Sequence, residues 1–289
     1  MTSVPDDTIT IGGDLTVRRL GFGAMRLTGP LIWGPPADPE AAMKVARRAV
    51  ELGVTFVDTA DSYGPGANEE LLAQALHPYP AGLVIGTKAG QSRPSAGEWI
   101  PLGRPEYLRQ QAELSLRRLR TDRIDLFQLH RIDPLVPFAD QIGALRQLRD
   151  EGKVRHVGLS EVSVAQVEQA RAIVDVVSVQ NLYNLTDRRY DDVIDYCERE
   201  GLAFIPWLPI ARGEHTRATG AVGAVARELD ATPAQVALAW LLRRSPAVLP
   251  IPGTSSLAHL EENVGAARVR LSDEQFDRLS RLSQGERDA

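Results

Sequence analysis

The sequence has a single cysteine, Cys197, among its 289 residues. One thiol cannot form an internal disulfide, which fits a reducing cytoplasm. The first residues, MTSVPDDTITIGG, lack the basic and apolar parts of a signal peptide, and no apolar run is long enough to span a bilayer. These absences predict a soluble protein in the cytoplasm.

The sequence also has few histidines, and its basic residues do not outnumber its acidic ones. Only five histidines occur, and of these only His130 ends a predicted strand, so a multi-histidine metal site is poorly supported and we expect no metal. Lysine and arginine number 33 against 38 acidic residues, for a net charge of −5. Without a dominant basic block, nucleic acid is not expected as a partner.

Short apolar runs alternate with amphipathic segments along the whole chain. The segments carry helix-start signals, such as Asp38 before Pro39 and the capping box that Thr232 forms with Gln235. Runs that are apolar on both faces are typical of buried parallel strands. The eight runs are residues 18–25, 54–58, 82–88, 124–130, 154–160, 174–181, 202–209 and 247–252.

Eight parallel strands alternating with helices predict a (β/α)8 TIM barrel. The segment DTITIGGDLTVRR predicts a β-hairpin that closes the bottom of the barrel, and residues 1–289 are expected to form one domain. The alternative is a doubly wound open sheet. It calls for a glycine fingerprint after the first strand, and GFGAMR has only two of the three glycines.

Four ionisable residues stand at strand ends, where barrel active sites lie: Asp58 and Tyr63 after the second strand, Lys88 on the third and His130 on the fourth. Each alone has a simpler interpretation, as a helix cap, a packing residue or a solvated charge. Together, at the same end of a barrel, they indicate a catalytic group. Lys88 needs a partner if buried, which Asp58 can provide. A nearby lysine is expected to lower the pKa of the Tyr63 phenol and make it a general acid, while His130 holds a carbonyl oxygen.

With this set of four, the chain resembles the aldo-keto reductase family from about residue 17 to residue 282. The resemblance implies a barrel that binds a nicotinamide cofactor and reduces an aldehyde or ketone to an alcohol. In that family pattern Tyr63 donates the proton, Lys88 and Asp58 tune it, and His130 orients the substrate. No side chain supplies a hydride, so a cofactor must do so.

The resemblance also implies cofactor contacts. In HVGLSEV the family expects Ser then Asn on the nicotinamide carboxamide, where this chain has Ser160 and Glu161. Gln180 matches a third carboxamide contact, and Trp207 stands where an aromatic ring stacks on the nicotinamide. Leu208 replaces a frequent serine, and Arg212 is a candidate cation for the pyrophosphate. The further residues expected near the cofactor are Gly23, Met25, Pro209, Ile210 and Ile251.

The segment LPIPGTSSLAHLEENVGAA places a turn before a helix N-terminus, which is a favourable position for an anion. In the family this position holds the adenosine 2′-phosphate. The residues implied there are Gly253, Thr254, Ser255, Ser256 and His259, whereas Glu262 and Asn263 match the family positions that contact adenine. Gly253 and His259 stand where the family frequently has a lysine and an arginine, and the loss of these cations weakens the preference for NADPH over NADH. NADPH is still expected as cofactor because three hydroxyls, the backbone amides and His259 remain, and NADH stays an alternative.

The segments GPLIWGPPADPE and IPGTSSLAHLEEN are similar to those of bacterial pyridoxal reductases (pyridoxine 4-dehydrogenases). This resemblance suggests a compact aromatic aldehyde as substrate, with Met25, Trp33 and Trp99 as contacts. Surface packing is the alternative for the two tryptophans. A regulatory protein that binds the cofactor and a metal-dependent barrel hydrolase are the rival functions. A monomer is favoured, although the sequence does not determine the oligomeric state.

Overall fold

A computed structural model of the chain describes residues 7–211 and 220–282. Seven parallel strands form one curled sheet in which each strand pairs with the next in chain order. This order confirms the alternating β and α pattern and excludes the doubly wound sheet, whose strand order reverses. The strands are β3 (Phe22–Gly23), β4 (Phe56–Asp58), β5 (Val84–Ala89), β8 (Ile124–Leu129), β9 (Val154–Ser160), β10 (Val176–Gln180) and β11 (Ala203–Phe204).

Residues 247–252 close the sheet into a barrel without forming a regular strand. On one side, Leu249 N–H donates to Phe204 O at 2.8 Å. On the other side, Gly21 N–H donates to Pro250 O at 2.9 Å and Gly23 N–H donates to Pro252 O at 3.3 Å. The eighth predicted strand is therefore in place, but Pro250 and Pro252 have no N–H to extend the ladder.

A hairpin seals the bottom of the barrel, as predicted. It consists of β1 (Thr8–Ile11) and β2 (Leu15–Arg18), antiparallel and joined by a turn at residues 12–14. Its apolar face, which includes Ile11 and Val17, packs in one cluster with interior residues of the barrel strands. The hairpin thus excludes water from the end of the barrel opposite the strand carboxyl ends.

The helices form the outer layer. The predicted starts at Asp38 and Thr232 are confirmed, since Asp38 accepts from Ala41 N–H and Thr232 forms a complete capping box. Ser163 and Ser272 also form complete capping boxes. The helices are α1 (Pro39–Glu51), α2 (Ala67–Leu76), α3 (Pro105–Leu119), α4 (Phe138–Asp150), α5 (Val164–Arg171), α6 (Asp191–Glu200), α7 (Gly220–Glu228), α8 (Pro233–Arg244), α9 (Leu257–Gly265) and α10 (Asp273–Ser280).

The connections contain features that the sequence patterns did not predict. A small antiparallel pair, β6 (Gln91–Ser92) and β7 (Ile100–Pro101), lies in the loop that follows β5. One-turn 3-10 helices occupy Ala24–Leu27 and Pro30–Ile32 after β3. These loops lie at the carboxyl end of the barrel and surround the candidate site. The single domain over residues 1–289 stays a prediction.

Candidate active site

The four ionisable residues meet at one edge of the sheet. Asp58 is the last residue of β4, Lys88 lies in β5, and His130 directly follows β8. These three strands are neighbours, so their carboxyl ends bring the side chains together. Tyr63 reaches the same place from the turn between β4 and α2, and its side chain is buried with the others.

Lys88 and Asp58 form a buried ion pair. Lys88 Nζ donates to Asp58 Oδ1 at 2.6 Å and to Thr59 O at 2.7 Å. The other carboxylate oxygen, Oδ2, accepts from Gln180 Nε2 at 2.9 Å. Burial lowers the pKa of Lys88, but the charge of Asp58, followed by Tyr63, outweighs this effect, so the pKa is raised overall. Lys88 therefore stays cationic at neutral pH.

Tyr63 lies beside this cation, and here the predicted pKa direction is wrong. Lys88 Nζ is 5.1 Å from the centroid of the Tyr63 ring. Burial raises the pKa of Tyr63 above its usual value, and the charge of Lys88 lowers it by less than burial raises it. The phenol is consequently protonated at neutral pH. It can still donate its proton, with Lys88 beside it to stabilise the phenolate that results.

His130 is held as a neutral imidazole. Its ring lies edge-on to Tyr63 at 5.9 Å between centroids, and its Nδ1 lies 3.2 Å from Ser62 Oγ. Burial lowers the pKa of His130 well below its usual value, and the neighbouring charges of Lys88 and Arg131 lower it further. A neutral ring can donate one hydrogen bond to an oxygen without adding a charge.

Ser160, Gln180 and Trp207, the predicted nicotinamide contacts, lie on adjacent strand ends. Ser160 ends β9, Gln180 ends β10, and Trp207 follows β11. Ser160 Oγ accepts from the guanidinium of Arg131 at 3.1 Å, and Gln180 donates to Asp58. These three residues therefore lie at the same end of the barrel as the four ionisable groups.

Glu161 has a different environment from the one expected. Its Oε1 accepts from Leu182 N–H at 2.6 Å and from Trp207 Nε1–H at 2.7 Å. Its Oε2 accepts from the hydroxyl of Tyr190 at 3.2 Å. The carboxylate that stands in place of the family's Asn is thus bound by groups of the protein itself.

The turn before α9 presents hydroxyl and amide groups. Thr254 Oγ1 accepts from Ser256 N–H at 3.0 Å, and Ser256 Oγ caps the helix by accepting from His259 N–H at 3.4 Å. Ser255 and His259 are exposed at this helix end, whereas Asn263 is buried one turn further along α9. The arrangement combines a helix N-terminus with hydroxyl donors, which suits a phosphate group.

Comparison with known proteins identifies the family. A family model described as the aldo/keto reductase family matches residues 19–284. The chain belongs to the aldo/keto reductase family. It is therefore an NAD(P)H-dependent oxidoreductase, and the predicted resemblance and nicotinamide cofactor are confirmed at this level.

Individual relatives agree with the family. An uncharacterised oxidoreductase of Schizosaccharomyces pombe is 50% identical over 274 residues, which are 95% of this chain and 89% of the relative. Pyridoxine 4-dehydrogenase of Escherichia coli is 41% identical over 283 residues, which are 96% of this chain and 98% of the relative. The resemblance to the pyridoxal reductase branch is therefore supported.

The solved structures give the same fold. An aldo-keto reductase from Klebsiella pneumoniae in complex with NADPH superposes with a TM-score of 0.80 at 26% identity, over 96% of this chain and 94% of that chain. A glycerol dehydrogenase from Gluconobacter oxydans superposes with a TM-score of 0.87 at 25% identity, over 96% of this chain and 95% of that chain. The (β/α)8 barrel is confirmed.

Other predicted cofactor residues of this aldo/keto reductase lie in or next to the loops at the same end of the barrel. Gly23 and Gly253 face each other across the barrel closure, where a Cβ on Gly253 would lie 2.6 Å from Gly23 O. Leu208 has a positive φ of 50°, and its carbonyl accepts from Asn184 Nδ2 at 3.2 Å. Met25 lies in the 3-10 helix after β3. Arg212 lies outside the described residues.

Trp33 and Trp99, the predicted substrate contacts, both pack on Arg93. The guanidinium carbon of Arg93 lies 3.5 Å from the ring centroid of Trp99 and 5.5 Å from that of Trp33. Trp33 is partly exposed at the rim. The two rings therefore pack on one cation, and their contact with substrate stays a prediction.

Arg93 and Arg131 are two site residues that the sequence interpretation missed. Arg93 donates to five carbonyl oxygens, those of Leu31, Ile32, Ser62, Ala96 and Glu98. It therefore joins the loops that follow β3, β4 and β5. Arg131 directly follows His130, and its guanidinium lies 5.7 Å from the ring centroid of Trp207. The dipeptide His130-Arg131 was the available signal for the second arginine.

The site residues fit a nicotinamide cofactor. Ser160, Gln180 and Trp207 offer a hydroxyl, an amide and a ring close to Tyr63 and Lys88, while the N-terminus of α9 offers hydroxyl and backbone donors for a phosphate. By contrast, residues 7–211 and 220–282 contain no group of three or more His, Cys, Asp or Glu side chains arranged to hold a metal. Over the same residues, no helix has the length and apolarity needed to cross a membrane.

Proposed function

We propose that the protein uses NADPH to reduce an aldehyde or ketone to the alcohol, with pyridoxal, which would give pyridoxine, as the candidate substrate. The observation that carries the proposal is the buried Lys88–Asp58 pair, 2.6 Å between Nζ and Oδ1, beside the protonated phenol of Tyr63. The 41% identity to Escherichia coli pyridoxine 4-dehydrogenase supports the candidate substrate.

In the proposed mechanism, the neutral ring of His130 donates a hydrogen bond to the carbonyl oxygen and orients it toward Tyr63. Negative charge develops on that oxygen during reduction, and Tyr63 transfers its phenolic proton to it. The cationic ammonium of Lys88 stabilises the phenolate, because an opposite charge at short range favours the ionised form. NADPH, when bound, supplies the hydride.

The cofactor is expected to lie across the carboxyl ends of the strands. Ser160 and Gln180 would contact the carboxamide, and Trp207 would stack on the nicotinamide. Thr254, Ser255 and Ser256, together with the amides and His259 of the first turn of α9, would hold the 2′-phosphate. Glu262 and Asn263, further along the helix, would contact the adenine. A cytoplasmic location and a monomeric state stay predictions.

The test is NADPH oxidation by the purified protein, followed by the loss of near-ultraviolet absorbance. Pyridoxal and benzaldehyde are compared as substrates, and NADH is run in parallel. Saturable oxidation of NADPH with pyridoxal is expected, and Tyr63→Phe should reduce kcat by about 10²–10⁴-fold while it still binds NADPH.

Turnover of benzaldehyde alone would leave carbonyl reduction in place and remove pyridoxal as substrate. A Tyr63→Phe variant as fast as the wild type would contradict the assigned proton donor. No turnover in a protein that still binds NADPH would instead favour the alternative, a cofactor-binding regulatory protein of the same fold.

A further inference from the structure

Glu161 has an unusual backbone conformation at the end of β9. Its φ is +56°, in the left-handed region that residues other than glycine rarely adopt. Such a conformation persists only where surrounding contacts hold it, and it occurs often at functional sites. Asn181, directly after β10, holds the residue that follows Glu161, since its side chain accepts from the N–H of Val162 at 3.1 Å and donates to the carbonyl of Val162 at 2.8 Å.

The conformation directs the Glu161 carboxylate across two neighbouring strand ends. Oε1 accepts from Leu182 N–H after β10 and from Trp207 Nε1–H after β11. Leu182 and Trp207 also face each other in a parallel β-bridge, and Trp207 N–H donates to Asn181 O at 3.2 Å. Glu161 therefore connects the backbone of one strand end with the indole edge presented by the next.

The hydrogen bond to the indole restricts the Trp207 ring. A tryptophan has a single polar hydrogen, and a short bond to a carboxylate at 2.7 Å fixes the ring edge in a defined direction. Tyr190 donates to the second carboxylate oxygen, at 3.2 Å, so the carboxylate itself cannot rotate freely. Arg131 lies over the ring at 5.7 Å and provides the compensating positive charge near Glu161.

We propose that Glu161 is a positioning residue that fixes the plane of Trp207 for stacking on the nicotinamide, rather than a ligand of the carboxamide. The inference rests on the proposed function, in which Trp207 stacks on the cofactor. A ring already held in its binding orientation loses less conformational freedom when the cofactor binds. Glu161 would thus strengthen NADPH binding without touching NADPH.

A double-mutant cycle tests this coupling through the dissociation constant of NADPH, measured by calorimetry without substrate. Glu161→Ala is expected to weaken NADPH binding by about tenfold, because the ring loses a charge-assisted hydrogen bond. Trp207→Phe keeps an aromatic ring but has no N–H. In the Trp207→Phe background, Glu161→Ala should therefore have little further effect.

Two further measurements separate positioning from general damage. Glu161→Gln keeps an acceptor oxygen for the indole, so it should bind NADPH within about threefold of the wild type. The fragment 2′,5′-ADP contains the phosphates and adenine but no nicotinamide. Its affinity should be the same for the wild type and Glu161→Ala.

The inference is overturned if Glu161→Ala weakens NADPH binding equally in both backgrounds, since Glu161 would then act without the indole. It is also overturned if 2′,5′-ADP binding falls in parallel, or if Glu161→Ala binds NADPH as tightly as the wild type. A wild-type protein that does not bind NADPH would contradict the proposed function itself, which is a different result from binding without coupling.

Discussion

Lys88 Nζ lies 2.6 Å from Asp58 Oδ1, and the two side chains are 0% and 3% exposed. A charge in such a position is costly unless its partner is present. The pair therefore has two separable roles, one in stability and one in the chemistry of Tyr63.

Replacing Lys88 with methionine should separate these roles. Lys88→Met is expected to abolish turnover and to lower the free energy of unfolding by about 3–5 kcal/mol, because Asp58 is left as an uncompensated buried charge. The double variant Asp58→Asn/Lys88→Met should regain most of the stability but none of the activity. Urea unfolding and NADPH oxidation measure the two quantities, and wild-type turnover in Lys88→Met would rule out the mechanism.

The lowered pKa of His130 predicts a defined pH dependence of stability. Above the usual histidine pKa of 6.5, His130 is neutral in both the folded and the unfolded chain. As the pH falls below that value, the unfolded chain takes up a proton that the buried ring resists, so the folded state loses stability. His130→Gln removes this contribution. The free energy of unfolding of His130→Gln, relative to that of the wild type, should therefore rise as the pH is lowered from about 8 to about 5, as measured by urea unfolding. If the difference between the two proteins stayed the same at every pH, the neutral, buried state of the ring would be contradicted.

His259 offers a way to change the cofactor preference. The residue is exposed in the first turn of α9, next to the cap formed by Ser256. His259→Arg places a permanent positive charge where the 2′-phosphate is proposed to bind, and should tighten NADPH binding by roughly tenfold at low salt. NADH, which lacks that phosphate, is the control. An equal gain for both cofactors would show that position 259 does not face the 2′-phosphate.

A lysine should not be able to replace Arg93. Its five hydrogen bonds to carbonyl oxygens require the fork of a guanidinium, and a lysine offers three donors at a single point. Arg93→Lys is expected to lower the free energy of unfolding by about 1–3 kcal/mol and to raise the KM for the carbonyl substrate. Arg109→Lys, at a side chain 35% exposed, is the matched control and should change neither. An unchanged KM in Arg93→Lys would mean that the joined loops do not shape the substrate opening.

The barrel and the convergence of the four ionisable residues were predictable because both depend on local patterns. Asp58, Lys88 and His130 stand at the ends of apolar runs, and parallel strands bring such ends to one edge. The capping residues were predictable for the same reason, since each cap lies within three residues of its partner. Resemblance to the family then supplied the roles, which remain proposals for the individual residues.

Properties that depend on contacts between residues far apart in the sequence, or on how deeply a side chain is buried, were not predictable. The partners of Glu161 lie 21 to 46 residues further along the chain, and no pattern around residue 161 indicates them. The predicted pKa direction of Tyr63 was wrong because the sequence showed the neighbouring charge but not the extent of burial, which has the larger effect. The carbonyl contacts of Arg93 likewise arise only when three loops meet.

The closure of the barrel also leaves a short junction in its wall. Between residues 21–23 and 250–252 the wall is joined by two backbone hydrogen bonds, and β8 and β9 are paired over much longer stretches. Amide hydrogens of Gly21 and Gly23 should therefore exchange with solvent deuterium earlier than those at the centre of β8, because local opening there breaks few contacts. The proposed phosphate site begins at residue 254, directly after this junction. Bound cofactor would therefore hold the two segments together and slow the deuterium exchange of Gly21 and Gly23.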